Sequence, residues 1–275
     1  VIWQTTRFRI DLAPVRVMGI VNVTPDSFSD GGRYATAASA LAHCEHLLAE
    51  GADILDIGGE SSRPGARAVT SQEELDRVVP VLRGALKLGC PVSIDTSKPE
   101  VMHAALELGV DIVNDISSLS AEGAIETVAA HGCGLCLMHM RGLPRTMQSG
   151  PVYSDVVDEV ALHLQARMAL LQAQGIDASR IVLDPGIGFG KSVEHNIELL
   201  KRQRELLVLG RPLLVGWSRK STLGAITGRG LGERQAASVS AALAAIALGA
   251  SVIRVHDVAA TSDALKVWRA AGLCR

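Results

Sequence analysis

The sequence predicts a (β/α)8 TIM barrel, and three observations carry that expectation. Eight short apolar runs recur along the chain, of the continuous kind that marks strands buried on both faces. Segments with apolar residues at helical spacing lie between them. The length, 275 residues, is close to the roughly 250 that one such barrel takes. No linker, low-complexity run or shift in composition divides the chain, so residues 1–275 are expected to form a single domain. An open doubly wound sheet is the alternative; eight β/α units joined by right-handed crossovers favour closure.

The elements follow in chain order. Phe8–Asp11 precedes the first long run and is expected to cap the barrel floor as a short extra strand. Strands are expected at Val17–Val23, Ile54–Ile57, Val92–Ile94, Ile112–Val113, Leu135–Met138, Ile181–Leu183, Leu213–Val215 and Val252–Val255. A capping-box signal, Ser71-x-x-Glu74, opens a helix with Leu75, Val78, Val79 and Leu82 on one face, and Pro80 predicts a kink in it. Pro99 suits the first turn of a helix carrying Val101, Ala104, Ala105 and Leu108. Val156, Val160, Leu164, Met168 and Leu171 mark the longest helix, and Val239, Leu243 and Ile246 the last but one. Ala236 to Ile253 is free of charge. It is mostly Ala, Ser and Gly, and Gly249-Ala250 breaks it, so a helix followed by a buried strand is expected rather than a membrane span.

Composition narrows the function. Lys and Arg number 27 against 29 Asp and Glu, a net charge of −2, which gives no reason to expect nucleic acid or an anionic membrane as partner. Aromatic residues are 3% of the chain, too few for stacking platforms, while 48% apolar residues suffice for a large core. Cys44, Cys90, Cys133, Cys136 and Cys274 are odd in number, and no basic segment followed by an apolar one opens the sequence. A cytoplasmic protein with free thiols is expected. Cys133-Gly-Leu-Cys136 fits C-x-x-C but runs into a buried strand instead of opening a helix. Gly186 to Ser192 ends like a phosphate-binding loop, yet Pro185 stands where the first glycine is required. No Cys/His cluster has zinc spacing, and His43, His46 and His163 fall on helical patterns expected to be solvated.

The informative residues follow the apolar runs. Asn22, Gly58-Gly59-Glu60, Asp95, Asn114-Asp115, His139, Asp184-Pro185-Gly186, Gly216 to Lys220 and His256-Asp257 end the eight runs in turn, with Arg254 inside the last. In parallel α/β folds the carboxyl ends of the strands face the ligand. One Asp or Asn there is commonly a helix cap; polar groups or glycines at all eight ends point to a site. Asn114 and Asp184 offer amide and carboxylate faces to the N–H/C=O edge of a heterocycle. Arg254 and His256, two apart on a strand, point the same way and suit a phosphate.

These strand-end motifs resemble dihydropteroate synthase. Asn22 to Gly32 (Asn-Val-Thr-Pro-Asp-Ser-Phe-Ser-Asp-Gly-Gly) and Gly58 to Gly65 (Gly-Gly-Glu-Ser-Ser-Arg-Pro-Gly) look like its first two loops. Ser93-Ile-Asp95-Thr96, Val113-Asn114-Asp115, Leu183 to Gly190, Ser218-Arg-Lys-Ser221 and Arg254-Val-His256 continue the match in order over essentially the whole chain. Ser62, where many members carry Thr, and Trp217 depart from the pattern without removing a charged or hydrogen-bonding group.

The resemblance implies condensation of 6-hydroxymethyl-7,8-dihydropterin pyrophosphate with para-aminobenzoate, a step of folate synthesis giving 7,8-dihydropteroate and pyrophosphate. It implies that Asp184 and Asn114 grip the amino-pyrimidine edge of the pterin, with Asp95 and Lys220 completing the ring contacts. Arg254 would stack over the ring and, with His256, Asn22 and Arg63, hold the pyrophosphate; Asn22 would hold its Mg2+. Ser62, Pro64, Phe189 and Ser221 would line the aminobenzoate pocket. Arg63, Asp26, Ser27 and Phe28 would belong to loops that close over the site, and the protein would be a homodimer, as the family usually is. Arg254, His256, Lys220 and Asp95 are the expected catalytic set.

The chemistry agrees with these residue types. An electron-rich ring stabilises a cation developing on its methylene, so the protein needs no nucleophile. It must hold the charge of the leaving group, keep water out and place a weakly basic amine. Three other functions remain open to the same barrel. A folate-dependent methyltransferase would share Asp95, Asn114 and Asp184 but has no use for the Ser218–Ser221 run with Arg254 and His256. A Schiff-base lyase would use Lys220, its pKa depressed by Arg219. A catalytically dead pterin-binding subunit would lack some charged group of the set, and none is missing.

Overall fold

The apolar runs become the staves of a closed barrel. The structure, a computed structural model, describes residues 1–24, 32–61, 67–142, 147 and 150–274, with the backbone alone at 32–36. Among these, strands β3 (Arg16–Asn22), β4 (Ile54–Gly58), β5 (Val92–Asp95), β6 (Ile112–Asp115), β7 (Gly134–Met138), β8 (Ile181–Asp184), β9 (Leu213–Val215) and β10 (Ala250–Val255) pair in parallel and in sequence, and β10 returns to β3. The TIM barrel expected from the sequence is present. Four strands extend beyond their apolar runs to include Gly58, Asp95, Asn114 with Asp115, and Asp184. The polar end residues therefore hang from the last hydrogen-bonded positions of the strands.

Helices α1 (Gly32–Ala49), α2 (Ser71–Ala85), α3 (Pro99–Glu107), α4 (Ala124–Ala129), α5 (Val156–Ala173), α6 (Val193–Lys201), α7 (Ser221–Thr227), α8 (Gln235–Ala247) and α9 (Val258–Ala270) cover the outside. Their inner faces and the outward strand residues form one core that includes Val78, Val101, Leu164 and Leu265. Pro99 opens α3 as expected. The α2 cap lies one residue earlier than the sequence suggests: Glu73 N donates to Thr70 Oγ1 at 3.1 Å and Thr70 N to Glu73 Oε2 at 2.8 Å. Glu74 instead turns inward, fully buried, and accepts from Lys98 Nζ at 2.6 Å. Pro80 sits on the exposed side and α2 runs through it. At 18 residues α5 is matched in length by α1. The uncharged stretch resolves into α8 and β10, and among the described residues no helix is long and apolar enough to cross a membrane.

The histidines correct one expectation. His46 is exposed, but His43 and His163 are half-buried, and burial lowers the pKa of both. The His163 ring packs edge-on against His139 with centroids 5.0 Å apart.

At the amino-terminal end of the strands the chain makes a hairpin, β1 (Ile2–Gln4) antiparallel to β2 (Arg9–Asp11). The sequence suggested only the second of these strands. Trp3 is fully buried and joins Ile10 and Leu12 in a cluster with Met18, Ile54, Ile112, Val182, Leu214 and Val252, the inward-facing residues of the lower barrel. Its indole Nε1 donates to Arg180 O at 2.8 Å. Arg7 forks onto the buried Asp111 at 2.6 Å, which also accepts from Val92 N. The hairpin is thus a plug, and the barrel floor is capped as expected.

Candidate active site

Side chains two apart on a strand share a face, so each stave writes its own column into the barrel interior. On β10 the column reads Val252, Arg254, His256. On β3 it is Met18, Ile20, Asn22; on β4, Ile54, Asp56, Gly58; on β6, Ile112, Asn114; on β8, Val182, Asp184. The columns are apolar below and polar above. Over the apolar layer opens a cavity of about 770 Å³. Asn22, Asp95, Asn114, Asp184, Phe189, Lys220, Ser221, Arg254 and His256 all line it, so residues spread over more than two hundred positions meet in one place. Ser62, Arg63 and Pro64 lie outside the described residues, as do Asp26, Ser27 and Phe28.

Charge is organised around Arg254. Its Nε donates to Asp56 Oδ2 at 2.7 Å and its Nη2 to Asp95 Oδ2 at 2.6 Å. Burial raises the pKa of Asp95 to about 7: Arg254 opposes the rise, and Asp56, Glu74 and Asp115 add to it. Burial also raises Asp184, against the pull of the Gly186 N–H, which donates to Asp184 Oδ1 at 2.7 Å, and of nearby Lys220. Lys220 is lowered to about 8 by burial and by Arg254, with Asp184 opposing. Arg219, the depressor expected from sequence, is engaged elsewhere, on Asp257 at 2.6 Å. Lys220 Nζ stands 4.1 Å from the centre of the Phe189 ring. At His256 the backbone N–H donates to Ser218 Oγ at 3.1 Å, and that hydroxyl lies 3.0 Å from Nδ1.

Three features escaped the sequence reading. Asp56, fully buried inside an apolar run, anchors Arg254 and accepts from Asn114 Nδ2 at 3.1 Å. A lone carboxylate in such a run requires a partner, and that requirement was the available signal. Lys191, discarded with the phosphate-loop motif, is 2% exposed. Its ammonium reaches His139 Nδ1 at 2.9 Å and the carbonyls of Gly186, Phe189 and His139 at 3.0, 3.1 and 3.2 Å. Burial and Lys191 hold His139 neutral, its pKa pushed down to about 2. The segment after β8 passes so close to β7 that a Cβ on Gly186, which has φ +69°, would lie 1.9 Å from His139 O. Trp217, a departure from the family pattern, is buried in the core and does not line the cavity.

A blind cavity at the carboxyl end of a closed barrel, floored by carboxylates and an amide and edged by cations, is the site of a small-molecule enzyme that takes a polar heterocycle. Residues 18–256 match the family described as pterin binding enzyme. The dihydropteroate synthase of Neisseria meningitidis serogroup B is 55% identical over 279 aligned positions, covering 99% of this chain and 98% of that protein. A structure of Xanthomonas albilineans dihydropteroate synthase with 4-aminobenzoic acid superposes with a TM-score of 0.91 at 49% identity, covering 96% of this chain and 95% of the other. That of the Burkholderia cenocepacia enzyme complexed with 7,8-dihydropteroate gives 0.90 at 48%, covering 99% and 96%. The chain belongs to the dihydropteroate synthase family.

Proposed function

We propose that this chain condenses 6-hydroxymethyl-7,8-dihydropterin pyrophosphate with para-aminobenzoate, releasing 7,8-dihydropteroate and pyrophosphate. The observation that carries this is the convergence of Asp184, Asn114, Asp95 and Lys220 on one cavity whose edge holds Arg254 and His256. Asp184 has Oδ1 on the Gly186 N–H, which leaves Oδ2 to accept from the amino group of the pterin. Asn114 and Lys220 meet the rest of the ring edge. His256, Arg254 and Asn22 face the leaving group, with Arg63 as a fourth contributor. Phe189 and Ser221 flank the aminobenzoate, with Ser62 and Pro64 completing that pocket.

In the reaction the bond between the methylene carbon and the pyrophosphate oxygen breaks, its electron pair leaving with pyrophosphate. The arylamine nitrogen forms the new bond to that carbon and gives up a proton. Arg254 and His256 stabilise the charge as it develops on the leaving group. Among the described residues no group of three His, Cys, Asp or Glu side chains is disposed to hold a metal ion. Asn22 lines the cavity as a neutral oxygen donor, which fits Mg2+ in the form that arrives with phosphate oxygens and water. Such an ion supplies charge neutralisation to the departing pyrophosphate.

The protein is proposed to work in the cytoplasm, as a homodimer. The five cysteines are all free, which suits a reducing compartment. The outer side of α8 exposes Ala236, Ser240 and Ala247, small residues that allow close approach, and Ile226 on α7 and Val267 on α9 are exposed beside it. Analytical ultracentrifugation reads the dimer directly. The function is tested by pyrophosphate release: it should require both substrates, and release that ignores aminobenzoate would mean that water, not the arylamine, takes the methylene carbon and would overturn the condensation.

A further inference from the structure

The residue that organises the cavity floor does not line the cavity. Asp56 hangs from the middle of β4, fully buried beneath the pocket. Its Oδ2 accepts from Asn114 Nδ2 and from Arg254 Nε, while its Oδ1 is buried with no partner among the described residues. A carboxylate only accepts. Whatever faces Asp56 must therefore donate, and this fixes the orientation of the Asn114 amide: nitrogen down toward Asp56, oxygen toward the cavity. Asn114 Oδ1 takes no hydrogen bond from any described side chain. An amide without such a neighbour presents either end with similar ease.

Resting on the pterin assignment above, we propose that Asp56 is a positioning residue that sets ligand specificity by fixing the polarity of Asn114. With it in place, Asn114 Oδ1 and the Asp184 carboxylate form an all-acceptor floor, which selects a heterocycle edge made of N–H donors.

The experiment is a double-mutant cycle read by calorimetry with 6-hydroxymethylpterin as the probe. Asp56→Asn, which leaves Arg254 its Asp95 partner, should bind the probe at least tenfold more weakly, because the amide at 114 is released to turn. In the Asn114→Ala background the same substitution should cost less than threefold. Losses that multiply in full across the two backgrounds overturn the proposal, since Asp56 would then act without Asn114. Wild-type affinity in Asn114→Ala alone overturns the pterin assignment itself, a separate result. If Asp56→Asn does not fold, nitrogen-15 NMR of the wild-type protein decides. The Asn114 side-chain amide, identified by its disappearance in Asn114→Ala, should exchange its protons slowly with solvent. Exchange as fast as that of surface amides overturns the proposal.

Discussion

Asp95 and Asp184 are both carboxylates over the same apolar layer, yet their neighbours give them different tasks. Asp184 has one oxygen committed to Gly186 N and the other facing the cavity. Asp184→Asn should weaken binding of the free pterin by about 2–5 kcal/mol, because a desolvated donor on the ligand loses a charged acceptor; calorimetry showing unchanged affinity would remove its role. Asp95 sits among carboxylates, and its pKa is raised from 3.8 to about 7. Between those values the folded protein keeps a proton that the unfolded chain has released. The stability Asp95 contributes is therefore full at low pH and lost as pH rises through about 7. The Tm of the wild type relative to Asp95→Asn should fall from pH 4 to neutrality and then level off, and a flat difference would refute the shift. Both carboxylates were legible in the sequence, as polar residues closing apolar runs. Asp56 was not, because its role lies in a partner 198 positions away, and spacing along one strand says nothing about which other strand answers it.

The segment from Pro185 to Gly190 is held by a single ammonium. Lys191 joins three carbonyls and a histidine ring nitrogen, tying the end of β8 to the end of β7. Lys191→Met should leave those acceptors stranded and lower stability by about 1–3 kcal/mol. Phe189 would lose its anchor, so KM for aminobenzoate should rise more than KM for the pterin substrate; equal rises would assign Lys191 to the fold alone. This element shows where sequence spacing misleads. The run Gly186 to Ser192 lacks the first glycine of a nucleotide loop, but rejecting the motif also discarded its lysine. The α2 cap slipped by one residue for a related reason: Thr70 with Glu73 and Ser71 with Glu74 both satisfy the pattern, and only burial of Glu74 separates them. Strands were read more securely than caps, since a continuous apolar run has one interpretation inside a parallel barrel.

At the scale of the molecule, closure was foreseeable from eight runs in alternation with helices, whereas the plug was half seen. Ile2–Gln4 is three residues with one buried side chain, too short for any period to register. Yet Trp3 fills the floor, and Trp3→Ala should cost about 3–5 kcal/mol, measured as a shift in the denaturant midpoint with little change in KM for either substrate. The plug has a kinetic corollary. A tube stopped at one end is a stack, not a corridor: what goes in first comes out last. Asn114 and Asp184, the proposed pterin contacts, lie on the deepest polar layer and Ser221 at the exposed rim; on that assignment the heterocycle should load ahead of the arylamine, and an arylamine resting at the rim should bar its retreat. Dissociation of a bound pterin, followed by stopped-flow fluorescence, should accordingly slow as aminobenzoate is added, and the concentration giving half the slowing reports how tightly the outer molecule corks the inner one.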